Sequence, residues 1–97
     1  MAAVLTPAAQ ELSEELLVAR EIYELQVVEN KIPHFDLLAN RLEKLMGRED
    51  ISHALDILFD QGMLRTQWEK VEGKNVRGLR VAREALGYVE FIYKNTQ

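Results

Sequence analysis

Positively charged side chains are concentrated in one short segment of this 97-residue sequence. The segment from residue 65 to residue 80 carries five cations, which are Arg65, Lys70, Lys74, Arg77 and Arg80. It contains only two carboxylates, those of Glu69 and Glu72. Guanidinium and ammonium groups at this density favour contacts with phosphate oxygens or with the minor groove of a nucleic acid. The alternative is that the segment is a solvated hairpin with no such partner.

A second group of hydrogen-bonding side chains lies after Gly47. Apolar residues between Ile51 and Phe59 recur at the spacing of one buried helix face, which predicts that Arg48, Ser52, His53 and Asp56 point outward. Ser52 and His53 can donate to or accept from base edges, and arginine at Arg48 can reach guanine or phosphate. The first residues of such a helix contact bases in a helix-turn-helix.

Carboxylates share this outward face. Glu49, Asp56 and Asp60 would repel a phosphate backbone, although a carboxylate can also accept a hydrogen bond from cytosine. The face therefore permits a second interpretation, in which it binds a basic protein partner instead of DNA.

The residue patterns of common enzymes are missing. The sequence has no cysteine, and His34 and His53 are not spaced as a pair of metal ligands. Gly73-Lys74 lacks the other residues of a phosphate-binding loop, and no serine lies in a nucleophile-elbow motif. We expect no enzymatic activity, no metal and no cofactor.

Charge is distributed unevenly along the chain. The net charge is −4, but residues 1–62 carry 5 Lys/Arg against 12 Asp/Glu (−7), and residues 63–97 carry 7 against 4 (+3). An acidic body can still carry a local basic patch. No apolar run approaches the roughly 20 residues that span a bilayer, and the N-terminus lacks a charged signal-peptide region. We expect one domain over residues 1–97, located in the cytoplasm and not in a membrane.

Helical periodicity continues on both sides of these groups. Thr6-Pro7 predicts the start of a first helix that runs to about Glu29. Its second apolar stripe, Val18, Ile22 and Leu25, belongs either to a tight three-helix core or to an interface with another subunit. A helix-turn-helix is predicted over about 34–61. Its first helix, from about His34 to Met46, carries a buried stripe of Phe35, Leu38, Leu42 and Leu45, and Gly62 ends the second.

After Gly62 the apolar period changes to two, which predicts a hairpin over about 63–81. A four-residue loop, Glu72 to Asn75, would pair Val71 with Val76 and place Trp68 opposite Leu79. In that register Trp68 belongs to the core and is not a stacking surface for a ligand. A last helix follows over about 82–95, and its Tyr88 and Phe91 form an apolar stripe that a monomer leaves uncovered.

The segment from Gly47 to Leu64 resembles the third helix of winged helix-turn-helix domains of the MarR and PadR type, and the resemblance extends over roughly Leu12 to Tyr93. It implies a mainly α fold with a small β hairpin and an added C-terminal helix. It also implies a small prokaryotic transcriptional regulator that binds double-stranded DNA as a homodimer. The predicted DNA contacts are Arg48, Ser52, His53 and Asp56 in the third helix and Arg65, Lys70, Lys74, Asn75 and Arg77 in the hairpin. The predicted dimer contacts are Val18, Ile22, Leu25, Tyr88 and Phe91. The alternative is a winged-helix module that binds proteins and not DNA; no effector can be named.

Overall fold

A computed structural model describes residues 12–96. Helix α1, Glu14–Tyr23, begins after Ser13, whose side-chain oxygen accepts a hydrogen bond from the Leu16 N–H at 3.4 Å. The predicted start at Thr6 and Pro7 lies outside the described residues. Ser13 has an extended backbone, so a continuous helix from Thr6 to Glu29 is wrong, and the helix begins at Glu14.

The first helix widens at its end. It continues as a π-helical segment, Glu24–Val28, and ends near Asn30, which has a positive φ of 54°. Asparagine tolerates this left-handed conformation, which often ends a helix. The extended segment that follows lies along the hairpin, since the Leu79 N–H donates to the Pro33 carbonyl at 2.8 Å.

Two shorter helices form the helix-turn-helix unit. Helix α2, Phe35–Leu42, and helix α3, Arg48–Asp60, follow the predicted order, and the buried face of α3 is the predicted one. Leu45 is 56% exposed, whereas Met46 is buried. The prediction that Leu45 belongs to the buried stripe is wrong because α2 already ends at Leu42, so helical spacing no longer applies beyond it.

The hairpin has a different register from the predicted one. Strands β1, Leu64–Val71, and β2, Lys74–Val81, are joined by two residues, Glu72 and Gly73, with φ of 52° and 81°. Positive φ at both positions is the tight turn that matches the twist of a hairpin. Val71 therefore pairs with Lys74 instead of Val76.

The shorter turn changes the position of Trp68. A shift of two residues keeps each side chain on its predicted face, but it places Trp68 opposite Arg77 and not opposite Leu79. Trp68 is 71% exposed, so the prediction that it belongs to the core is wrong. The pair nearest the body is instead Leu64 and Val81, and both are buried.

The C-terminal helix packs against the first one. A short 3₁₀ turn, Arg83–Ala85, leads into α4, Leu86–Lys94. The Tyr23 and Tyr93 ring centroids are 5.2 Å apart, and the Arg20 Nε donates to the Thr96 Oγ1 at 2.7 Å. These contacts hold Tyr93 and Thr96 on α1.

The second apolar stripe of the first helix was predicted to lie either in the core or at a subunit interface, and the structure places it in the core. Val18, Ile22 and Leu25 are fully buried within the single chain, where they pack in the common core of the helices and the hairpin. They are not available to a second subunit, so their assignment to a dimer interface is corrected to the core. Tyr88 and Phe91 remain more than half exposed.

The architecture is a winged helix: three helices, a two-stranded antiparallel hairpin and a further helix. This confirms the predicted mainly α fold with a small hairpin. Within residues 12–96, no helix has the length and apolar character needed to cross a membrane.

Candidate nucleic-acid interface

Helix α3 and the hairpin meet at a cleft on the surface. The cleft has a volume of about 170 Å³ and is lined by Phe35, Ser52, Leu55, Asp56, Phe59, Arg77 and Leu79. It brings together three of the predicted contact residues, Ser52 and Asp56 from α3 and Arg77 from β2. Ser52 and Arg77 are 25 positions apart in the sequence. The tertiary structure thus joins the two sequence features into one surface.

Two arginines are held over phenylalanine rings at the edges of this cleft. The Arg77 Cζ lies 5.3 Å from the Phe59 ring centroid, and the Arg48 Cζ lies 4.9 Å from that of Phe35. A cation above an aromatic face is attracted by the negative charge density of the ring. Both rings are half-buried, so each guanidinium is oriented by a ring that the core itself holds in place.

Arg48 has a second partner on the surface. Its Nη2 donates to the Asp36 Oδ1 at 2.7 Å, and this hydrogen bond lowers the pKa of the Asp36 carboxyl. The carboxylate neutralises part of the charge that Arg48 would present to a phosphate. Arg48 is therefore positioned at the start of α3, but it must exchange or share its partner in order to bind an anion.

The rest of the outward face of α3 is polar and acidic. Ser52, His53 and Asp56 are exposed, as their helical positions predicted. Glu49, Asp50 and Asp60 are exposed as well. This face can make hydrogen bonds to base edges, but its charge opposes close contact with a phosphate backbone.

The hairpin separates the predicted cations onto two faces. One face carries Leu64, Thr66, Trp68 and Lys70 from β1 and Asn75, Arg77, Leu79 and Val81 from β2. Its base is buried and its Arg77 covers Phe59, so this face is turned toward α3. None of its eight residues is a carboxylate. We call the hairpin of β1 and β2 the wing, and this face the α3-side face of the wing.

Arg65 and Lys74 lie on the opposite face. Arg65 donates to the Glu84 Oε2 at 2.9 Å and also to the Leu64 carbonyl at 3.2 Å, so its charge is directed toward the start of the C-terminal helix. Lys74 follows the turn and is exposed. The predicted set of wing contacts is thus divided: Lys70, Asn75 and Arg77 share a face with the cleft, whereas Arg65 and Lys74 do not. Lys70 also borders a groove that is lined by His34 and Leu37 at the start of α2.

A separate ionic cluster positions α2 on α1. Arg41 donates to Glu21 Oε2 and Glu24 Oε2, each at 3.1 Å, and it also pairs with Glu29. Hydrogen bonds from Arg41 and Lys31 lower the pKa of Glu29 to about 2. Burial raises the pKa of Glu21 despite the nearby guanidinium. The cluster is part of the scaffold, because it lies between α1 and α2 and away from the cleft.

The sequence does not show how three aromatic residues lie at this surface. It predicts Phe35 and Phe59 only as members of buried stripes, because their contacts with arginine depend on the tertiary structure. It predicts Trp68 in the core because the predicted loop is two residues longer than the observed one. The signal that could have located Trp68 is the Glu72-Gly73 pair, since a glycine at the second turn position favours a two-residue hairpin loop.

Solved structures with a similar fold include two Pex proteins. The chain is similar to the circadian clock associated protein Pex from Anabaena, with a TM-score of 0.66 and 20% identity over 86% of this chain and 76% of that chain. It is also similar to Pex from Synechococcus sp. (strain PCC 7942), with a TM-score of 0.61 and 22% identity over 86% of this chain and 78% of that chain. At this identity the likeness concerns the fold alone. No family model and no curated protein sequence matches the chain.

Proposed function

We propose that this protein is a DNA-binding transcriptional regulator of the winged-helix type, similar to the MarR and PadR proteins. In the proposed complex α3 lies in the major groove, and the wing lies along the adjacent DNA backbone. The observation that carries the proposal is the cleft shared by α3 and β2. It presents hydrogen-bonding groups of Ser52 and Asp56 next to the guanidinium of Arg77. Such a surface combines groups suited to base edges with a group suited to phosphate.

The wing supplies the charge in this proposal. Its α3-side face has two cations, Lys70 and Arg77, and no carboxylate. Helix α3 instead has four exposed acidic residues on and around its outward face. Affinity from phosphate contacts must therefore come mainly from the wing, and α3 contributes selectivity through Ser52, His53 and Asp56.

The regulator would act as a homodimer in the cytoplasm. Tyr88 and Phe91 of α4 expose 52% and 61% of their surface, three positions apart on one helix face. A two-fold axis beside α4 would cover this face with its own copy in the partner subunit. Two α3 helices related by such an axis would match two half-sites. The proposed role involves neither catalysis nor a cofactor.

A binding assay across a salt series tests the proposal. Fluorescence anisotropy would follow a labelled duplex that carries DNA from around the protein's own gene. With about 2–4 phosphate contacts per subunit, a dimer should give a log–log salt slope of about −4 to −7. Arg77→Ala should flatten this slope by about 2, since each subunit loses one contact. Arg80→Ala is the matched control, because Arg80 is also exposed in β2 but lies on the opposite face.

The acidic surface of α3 favours one other function, a protein-interaction module. Glu49, Asp50, Asp56 and Asp60 could bind a basic protein, and the wing would then stabilise the fold without contacting DNA. The same assay separates the two functions. Absence of binding at 50 mM salt, or an unchanged slope for Arg77→Ala, would exclude the DNA proposal and leave the interaction module in its place.

A further inference from the structure

The wing exposes the single tryptophan of the chain. Trp68 lies in the middle of β1, four residues beyond the buried Leu64, and is 71% exposed. At about 3.3 Å per residue, it lies roughly 13 Å along the strand from Leu64. An exposed indole in the middle of a strand is one of the largest apolar surfaces that a small domain can present, and tryptophan is among the residues enriched at binding hot spots.

Trp68 is on the side of the wing that faces α3. It is directly opposite Arg77, and paired residues of adjacent strands share one face of the sheet. Arg77 covers Phe59 of α3 and lines the cleft with Ser52. The indole is therefore the next large side chain outward from the cleft on the same continuous surface.

The residues around Trp68 indicate the chemistry of its partner. On its own strand the neighbours on this face are Thr66 and Lys70. Across the hairpin Arg77 lies directly opposite, and Asn75 and the buried Leu79 lie on the two diagonals. This set has two cations and two hydrogen-bonding groups, and the whole α3-side face has no carboxylate. The surface complements a partner that is anionic and that also offers flat or apolar groups for an indole. DNA has both, because sugars and base edges lie between its phosphates.

We infer that Trp68 is a DNA contact of the wing. Its indole packs against sugars and base edges in the minor groove beside the major groove that α3 occupies, and Lys70 and Arg77 bind the phosphates on either side. Apolar side chains also enter the minor groove in many architectural DNA-binding proteins, where they insert between base steps. This inference rests on the proposed function, but it concerns a residue and a type of contact that the charge-based argument does not require.

The single tryptophan provides a direct test. Binding is followed by anisotropy of a fluorescein-labelled duplex, which does not depend on the indole, while Trp68 emission and its quenching by acrylamide are measured in the same titration. We expect the emission to fall in parallel with the anisotropy signal, and the acrylamide quenching constant to fall at least two-fold in the complex. Trp68 emission that stays unchanged and fully accessible while the duplex is bound would overturn the inference and leave the proposed function standing.

Two substitutions give the energetic test. Trp68→Ala should weaken binding roughly tenfold for each subunit, or about a hundredfold for the dimer, since roughly 1.4 kcal/mol per subunit is within the range for loss of one base–aromatic contact. Trp68→Phe should stay within about three-fold of the wild type. Because the indole has no charge, the salt slope of Trp68→Ala should equal that of the wild type, whereas Arg77→Ala should flatten it. Since Trp68 is exposed, circular dichroism should show both variants folded. Full affinity of a folded Trp68→Ala variant would exclude the contact, and absence of DNA binding by the wild type would exclude this inference and the proposed function together.

Discussion

The guanidinium of Arg77 lies 5.3 Å from the centre of the Phe59 ring and thereby joins the middle of the wing to helix α3. The ring is half-buried in the core, and the arginine is exposed. The contact therefore orients a surface cation by means of a residue that the fold holds in place. It also shows which face of the hairpin is turned toward the helix, and hence which of the wing residues can act together with α3.

The Arg77–Phe59 contact should have a measurable coupling energy. Phe59→Leu keeps an apolar side chain but removes the aromatic face, and Arg77→Ala removes the cation. A double-mutant cycle from urea titrations should give a coupling of about 0.5–1 kcal/mol, which is the range for a cation–π contact at an exposed site. Additive effects of the two substitutions would show that the contact does not order the wing in solution.

The buried face of α3 should tolerate much less change than its outward face. Leu58 is fully buried, so Leu58→Ala should destabilise the protein by about 2–5 kcal/mol. Asp60 is exposed, so Asp60→Ala should change the free energy of unfolding by less than about 0.5 kcal/mol. Denaturant titrations of both variants measure the difference. Similar losses for the two would contradict the orientation of the helix.

Phe91 should control assembly without affecting the fold. Light scattering at micromolar concentration should give a dimer mass for the wild type and a monomer mass for Phe91→Asp, because a carboxylate would be buried in the proposed α4 interface. Phe91 is 61% exposed in the single chain, so the variant should remain folded. Val18→Ala provides the contrast: Val18 is fully buried, so this change should lower stability and leave the dimer mass unchanged. A monomer mass for the wild type would exclude the dimer.

The Arg41 cluster should make stability depend on acidic pH. The pKa of Glu29 is lowered to about 2 in the folded protein from an ordinary value of 4.5. A lowered pKa means that the stabilisation is fully present above the ordinary value and is lost as the pH falls through the folded one. Unfolding free energy should therefore decline between about pH 4.5 and pH 2, and the decline should be shallower in Glu29→Gln. Equal pH profiles for the variant and the wild type would show that the ion pair adds no stability.

Glu21 is the matched control within the same cluster, because burial shifts the pKa of its carboxyl in the opposite direction. A raised pKa means that the protonated form is favoured by folding, and this stabilisation is lost as the pH rises through the folded pKa. Glu21→Gln should therefore not reduce the decline of stability below pH 4.5.

Local periodicity and turn chemistry determined the elements of this protein. The apolar spacing from Ile51 to Phe59 predicts the buried face of α3, and the structure buries Ile51, Ala54, Leu55 and Leu58. Gly62 has the positive φ of 73° expected where a glycine ends a helix. These features depend on neighbours within a few residues, which a sequence displays directly. The order of helices and strands follows from them, as does the outward direction of Ser52, His53 and Asp56.

Only the tertiary structure decided which partners these elements meet. Two apolar stripes on α1 look alike in the sequence, but whether Val18 and Ile22 face their own chain or another depends on how α4 and the hairpin enclose them. The position of Trp68 depends on the register of the hairpin, and a loop shorter by two residues moved it from beside Leu79 to beside Arg77. Burial and long-range packing are set by contacts between distant segments, and for that reason the cleft and its two arginine–phenylalanine contacts could be recognised only in the folded chain.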